Sequence, residues 1–287
     1  MIAATKVPCP DCGHANPRAR ADCQWCGAFF EERAPAAAPA PPPRLLRHPP
    51  ACEPRVTSAK YLVGGAVLAL VFGLLPFTGF MGWFLSSLLH ETGHCAFAWA
   101  AGCPAFPAIR LDGHAVAIHG EQSGPLCVVV WAVIAGMAWR TRQGRGLWIF
   151  GGLALLYPLF AFTGLREIVF LVGGHVGELA FAGFFLHRAL AGGWWGARGE
   201  RLAHAALGCY LLGSNILLTG GLVLDEAARA RYHGSGSFGL TNDYLRLAGS
   251  TGGSLEAVAF CMLLASLAVL PAAWLLSRPG RVGIARR

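Results

Sequence analysis

His90 and His94 stand four residues apart inside the apolar run 81–101, with Glu91 beside the first. On a helix, residues four apart share a face, one turn from each other. Two imidazoles so placed can grip one zinc ion, and a glutamate next to the first can act as general base on a water at that ion. The chemistry of such a set is hydrolysis. Ionisable groups buried in an apolar span are costly and usually functional. The plainer alternative is a pair of histidines packed against neighbouring helices.

A second metal-ligating pattern lies near the start. Cys9-Pro-Asp-Cys12 and Cys23-Gln-Trp-Cys26 are two CxxC pairs separated by ten residues. Each pair can present both sulfurs to one ion, and four thiolates complete a tetrahedron. Residues 1–33 therefore read as a small zinc ribbon, with two disulfides as the alternative. So short a segment cannot bury a core, and the metal would supply its folding energy. Thiolate zinc suits a reducing compartment, so the ribbon is expected on the cytosolic side. The opening "MIAATKVPCPDCGH" has no apolar core of signal-peptide type.

The stretch "LLHETGHCAFAWAAGCP", 88–104, resembles the active-site helix of the site-2-protease-like intramembrane zinc metallopeptidases. Those carry HExGH in a transmembrane helix, followed by small residues and a glycine. Gly93, Ala96, Ala98, Ala100, Ala101 and Gly102 match. The resemblance covers about 80–124, and the zinc ribbon is an addition to it. It implies zinc-dependent peptide hydrolysis at the membrane, with His90 and His94 as ligands and Glu91 as base. It also implies a β-hairpin after the active-site helix, which 103–124 would supply.

The family's third ligand is an aspartate from a later span, in an N-x-x-D-G or L-D-G context. Here Leu111-Asp112-Gly113 falls inside the presumed hairpin, so Asp112 is not expected to ligate. Two sources remain. In "IVFLVGGHVGELAFAGFF", His175 and Glu178 share a helix face, and Gly173, Gly174 and Gly177 permit close helix approach. Either could complete the site. If Glu178 ligates, His175 could steady the developing oxyanion, and a mutual hydrogen bond is the simpler alternative. In "GLTNDYLRLAG", Asp243 could ligate, or Thr241, Asn242 or Asp243 could cap a helix. The fifth span is preferred, because buried ionisable groups demand more explanation than exposed ones. Asn215, inside the sixth span, could hold a substrate backbone or tie helices together.

These side chains need a scaffold, and composition says which. Of 287 residues, 55% are hydrophobic and 13% charged, where a soluble domain has about a quarter charged. The expected fold is an all-α polytopic membrane protein of six or seven transmembrane helices, with a short β-hairpin or re-entrant loop and the zinc ribbon. Candidate spans are 61–79, 81–101, 124–139, 147–163, 167–190, 203–223 and 254–276, each near the roughly 20 residues a crossing needs. The chain divides into ribbon (1–33), Pro/Ala-rich linker (34–60), transmembrane metallopeptidase-like domain (61–277) and basic tail (278–287). Seven crossings with the ribbon inside would put "RTRQGR" (140–145) and the tail outside, against the positive-inside rule. Either one span does not cross or 103–124 dips through.

The formal net charge of +8 comes from arginines between apolar runs and in the tail. They form no stripe with interleaved aromatics, so nucleic acid is not an expected partner. The expected partners are the bilayer, a membrane protein or peptide as substrate, and a protein partner at the ribbon. The expected location is a bacterial cell membrane. Two zinc ions are expected, one catalytic and one structural. The reading is a membrane-embedded zinc metalloprotease. A zinc hydrolase of lipid amides or esters, and a non-catalytic tether or regulator acting through its ribbon, are the rivals.

Overall fold

A computed structural model of the chain describes residues 6–9, 12–17, 23, 25–26, 55–192, 198–235 and 242–277. The linker segment 34–54 and the basic tail 278–287 lie outside the described residues. Two short strands, β1 (Lys6–Pro8) and β2 (Ala15–Pro17), pair antiparallel on either side of the Cys9–Cys12 knuckle. Gly13, directly after Cys12, takes the left-handed conformation (φ 72°) that lets the chain turn back there.

The rest is mainly helical. Helix α1 (Arg55–Leu74) begins within the expected linker, so residues 55–60 are its first turns. It is followed at once by α2 (Pro76–Ala100). The break falls at Leu75, earlier than the sequence suggests. The Pro76 ring disfavours the helical region for the residue before it. Leu75 is accordingly extended (φ −85°, ψ 128°), and Pro76 opens the next helix. The two helices meet at 107°. The Thr78 hydroxyl donates to the freed carbonyl of Phe72 at 2.6 Å.

After α2 come β3 (Ala105–Ile109) and β4 (Ala115–His119), paired antiparallel with Pro107 opposite Ala117. Helices α3 (Gly124–Arg140), α4 (Arg145–Phe162), α5 (Leu165–Ala191), α6 (Arg198–Leu224), α7 (Glu226–His233), α8 (Asp243–Thr251) and α9 (Leu255–Leu276) complete the chain. Four of them, α4, α5, α6 and α9, are long and apolar enough to cross a membrane, and the bent α1–α2 pair passes the same test jointly. Helix α3 has 17 residues. At about 1.5 Å per residue that is roughly 25 Å, short of the roughly 30 Å hydrocarbon layer. The seven stretches seen in sequence are thus four long helices, one bent pair and one short helix.

Helix α5 is the central pillar. It packs against α2, α6, α8 and α9, and its inward face (Leu171, Leu179, Leu186) joins Leu211, Tyr244 and Leu255 in the core. Trp148 and Leu155 of α4 are 82% and 81% exposed. Water would penalise such a surface and lipid would not.

Candidate metal centre

Helix α2 carries His90 and His94 one turn apart on the face turned to α5. The helices can approach because Gly93 lies against Gly173 and Gly177. A Cβ on Gly177 would sit 2.5 Å from Gly93 Cα, and one on Gly174 would sit 2.5 Å from His94 Nε2. Glycine is needed there for lack of room.

The hydrogen bonds fix which ring nitrogens face the centre. His94 Nδ1–H donates to the Phe170 carbonyl at 2.6 Å. His90 Nδ1–H donates to Glu178 Oε2 at 3.2 Å. A carbonyl and a carboxylate can only accept, so both Nδ1 atoms carry the proton, and in the neutral rings both Nε2 atoms present lone pairs. Those two Nε2 atoms are 3.0 Å apart. Asp243 Oδ2 lies 3.0 Å from each. Three acceptors converging this closely repel one another unless a cation sits among them. Ligand atoms about 2.0–2.1 Å from a tetrahedral zinc are spaced about 3.3 Å apart. The His90–His94–Asp243 set therefore fits zinc.

Asp243 is the first residue of α8. Asn242 occupies the cap position, but its side chain makes no capping bond. Its Nδ2 donates instead to the Tyr232 carbonyl (2.7 Å) and to Ser235 Oγ (3.0 Å). That tie holds the start of α8 against the end of α7 and aims Asp243 at the histidines.

The sequence favours the fifth span for the third ligand, whereas the structure brings Asp243 to the two Nε2 atoms. Glu178 meets His90 on its other nitrogen. It is 6% exposed, and the Ser86 hydroxyl donates to its Oε1. His175 Nδ1 is 3.3 Å from Glu178 Oε2 but is not aligned for a hydrogen bond. The His175 ring lies 4.1 Å from Tyr244 and 4.5 Å from His90, centroid to centroid. His90, His175 and Glu178 are also close enough to share an ion. That set would have to use the His90 nitrogen that carries the proton, so the His90–His94–Asp243 set is the better candidate.

A cavity of about 1160 Å³ opens over the centre, lined by Glu91, Asn215, Arg166 and residues of β4 among others. Glu91 is half-buried, and its carboxylate lies near the backbone of Ala117 in β4. Asn215 is 3% exposed. Its Nδ2 donates to Leu211 of its own helix at 3.1 Å, and among the described residues its Oδ1 meets no hydrogen-bond partner and its side chain bonds to no other helix. Asp112 sits in the β3–β4 turn, paired with Arg110 at 2.8 Å and more than two-fifths exposed, away from the centre.

Sequence reasoning missed three parts of the site. Ser86 lies one turn before His90 on the same face, and that spacing could have found it. The Phe170 carbonyl is a backbone group with no side-chain signal. Gln122 is the third. Its Nε2 donates to the Ala101 and Ala161 carbonyls, both at 2.8 Å, and its Oε1 accepts from Arg166 at 2.7 Å. One amide thereby joins the ends of α2 and α4 to the start of α5.

In the ribbon, Cys9 and Cys26 sulfurs are 3.7 Å apart, and Cys12 and Cys23 sulfurs 3.6 Å. All four cysteines are free thiols that could share one ion. Sulfurs about 2.3 Å from a tetrahedral zinc are about 3.75 Å apart, so this set also fits zinc, whereas a disulfide needs about 2.05 Å. Buried Asn16 donates to Cys23 Sγ at 3.4 Å. Burial raises the Cys23 thiol, but backbone N–H groups of Cys26 and Trp25 outweigh it and bring it down to about 6.

Compared with protein-family profiles, curated proteins and solved structures, the chain finds no match in any of the three.

Proposed function

We propose that the chain is an intramembrane zinc metallopeptidase, resembling the site-2-protease-like enzymes, that cleaves peptide bonds of membrane-associated proteins. One observation carries this reading: two imidazole lone pairs and one carboxylate oxygen converge at 3.0 Å beside Glu91, in a chain whose long helices suit a bilayer. His90, His94 and Asp243 would hold the ion. When bound, zinc lowers the pKa of a ligated water toward 7 and polarises a substrate carbonyl. Glu91 accepts a proton from the attacking water and returns it to the leaving nitrogen.

Strand β4 lines the cavity and, among the described residues, pairs only with β3. An extended peptide can add to its open edge through main-chain hydrogen bonds. This favours a peptide over a lipid amide or ester, which has no strand to offer. The ribbon, with four thiolate ligands, suits the cytosolic side and a protein partner there.

The test uses the full chain in lipid nanodiscs with a single-span peptide substrate and, in parallel, a lipid amide. Wild type is expected to cleave the peptide, and Glu91→Gln to lose about 10²–10⁴-fold of that activity while keeping two zinc ions per chain. Turnover of the lipid alone moves the assignment to the lipid hydrolase. Equal behaviour of wild type and Glu91→Gln leaves only a tether.

A further inference from the structure

We propose that Glu178 is a positioning residue of the metal centre: it fixes the tautomer and orientation of His90, and it neither ligates the ion nor holds a second one. This rests on the metallopeptidase reading for its purpose, though not for its geometry. A carboxylate buried to 6% exposure must find donors for its oxygens. Glu178 finds them on α2. Ser86 donates to Oε1 and His90 Nδ1–H to Oε2, the latter at 3.2 Å. Ser86 and His90 are four residues apart, so one helix face presents both donors.

Two alternatives fail on the same atoms. As a ligand, Glu178 would need to reach the His90 nitrogen that faces His94 and Asp243, but it sits on the opposite edge of the ring. As the holder of a second ion with His90 and His175, it would require His90 to lose its Nδ1 proton and bridge two cations. His175 meets Glu178 out of line, and its ring packs on Tyr244. A carboxylate accepting from the distal nitrogen of a ligating histidine holds the ring and raises its basicity. His94 receives the weaker version of the same support, from the Phe170 carbonyl at 2.6 Å.

The experiment measures cobalt binding by the full chain in nanodiscs, by competition with a chelator. The four-thiolate ribbon shows intense sulfur-to-cobalt absorption and the nitrogen–oxygen centre does not, so the two sites are read separately. Wild type is expected to bind two ions. Glu178→Gln should still bind two, with the membrane site weakened about 10–100-fold. Glu178→Asp should recover part of the loss, and Ser86→Ala should weaken the site less than Glu178→Gln does. Unchanged affinity in Glu178→Gln overturns the proposal, because the carboxylate is then polar filling. So does complete loss of the membrane-site cobalt from folded Glu178→Gln, which would make it a ligand, and so does a third ion in wild type. Should Glu178→Gln not fold, Ser86→Ala decides, and wild-type affinity there overturns the proposal. Absence of peptide cleavage alongside the expected cobalt affinities would sink the peptidase reading and support this one.

Discussion

Replacing Gly174 by alanine tests the centre by steric means alone, without touching a ligand. The added Cβ would lie 2.5 Å from both His90 Cε1 and His94 Nε2, and closer still to His90 Nε2. An ordinary contact is 3.4 Å or more and the added carbon sits at 2.5 Å, so each ring must retreat about 0.9 Å. Metal–ligand distances tolerate only about 0.2 Å. Losing a supporting residue alone costs about 10–100-fold in metal affinity. Displacing both ligands should cost at least about 100-fold, and a misplacement near 1 Å costs activity on a similar scale. The fold should survive. Gly to Ala inside a helix gains about 1 kcal/mol, against about 1–3 kcal/mol for overpacking. Chelator competition and thermal melting, in nanodiscs, separate the two effects. Gly136→Ala is the control, since its added Cβ meets nothing within 4 Å. Wild-type metal affinity in Gly174→Ala would mean that the rings do not face the Gly174 window, and the metal-centre assignment would fall with that.

Gly93→Ala should behave in the opposite way. Its Cβ would strike the Gly173 carbonyl and lie 2.9 Å from Gly177 Cα, backbone atoms that cannot rotate aside, so a drop in melting temperature with loss of folded protein is expected, and a melt equal to wild type would contradict the helix contact. Asp243→Ala should empty the membrane site of zinc while Asp112→Asn leaves it full, as elemental analysis of the purified proteins would report; the reverse result would move the third ligand to the hairpin. Ribbon zinc should be acid-labile. The folded Cys23 value, about 6, lies below the ordinary 9.0. Its contribution is therefore full above 9.0, shrinks as pH falls through that window, and is gone below about 6. A chromophoric chelator should thus capture one zinc per chain as pH drops past 6, and retention down to pH 4 would be the contrary outcome.

The candidate metal-ligating patterns were legible because spacing carries them. HExxH and paired CxxC are local, and the structure brings His90 with His94, and the four cysteines, close enough in each case to share one ion. Close packing of Gly93 on Gly173 and Gly177 was half legible, since the three glycines of α5 advertise an approach without naming what approaches. Asp243 was harder. Its neighbours Asn242, Tyr244 and Arg246 read as a polar surface turn, yet Tyr244 is 1% exposed and Leu247 7%. Helix α8 is amphipathic and turns its apolar side into the core, which draws Asp243 in with it. No local signal distinguishes that from an exposed cap. The α1–α2 break was misplaced for a different reason. Apolarity continues through Leu74, Leu75 and Phe77, and only Pro76 marks the interruption.

The pattern on α5 joins these pieces. Phe170, Gly173, Gly174, Gly177 and Glu178 follow one another at spacings of three, one, three and one, which places all five on one helix face. The outer two accept the Nδ1 protons of His94 and His90; of the inner three, Gly174 makes room for the two rings, Gly177 for the α2 backbone and Gly173 for the Phe97 side chain. The order is antiparallel: the earlier acceptor serves the later histidine. A single residue inserted between Gly174 and Gly177 would turn Glu178 about 100° away while leaving Phe170 in place. His90 would then lose its acceptor and His94 would keep its own. The centre therefore depends on the register between α2 and α5, in addition to the identity of its ligands. A buried glutamate three residues from a histidine can thus read as a ligand in sequence and, in the fold, meet the His90 nitrogen turned away from His94 and Asp243.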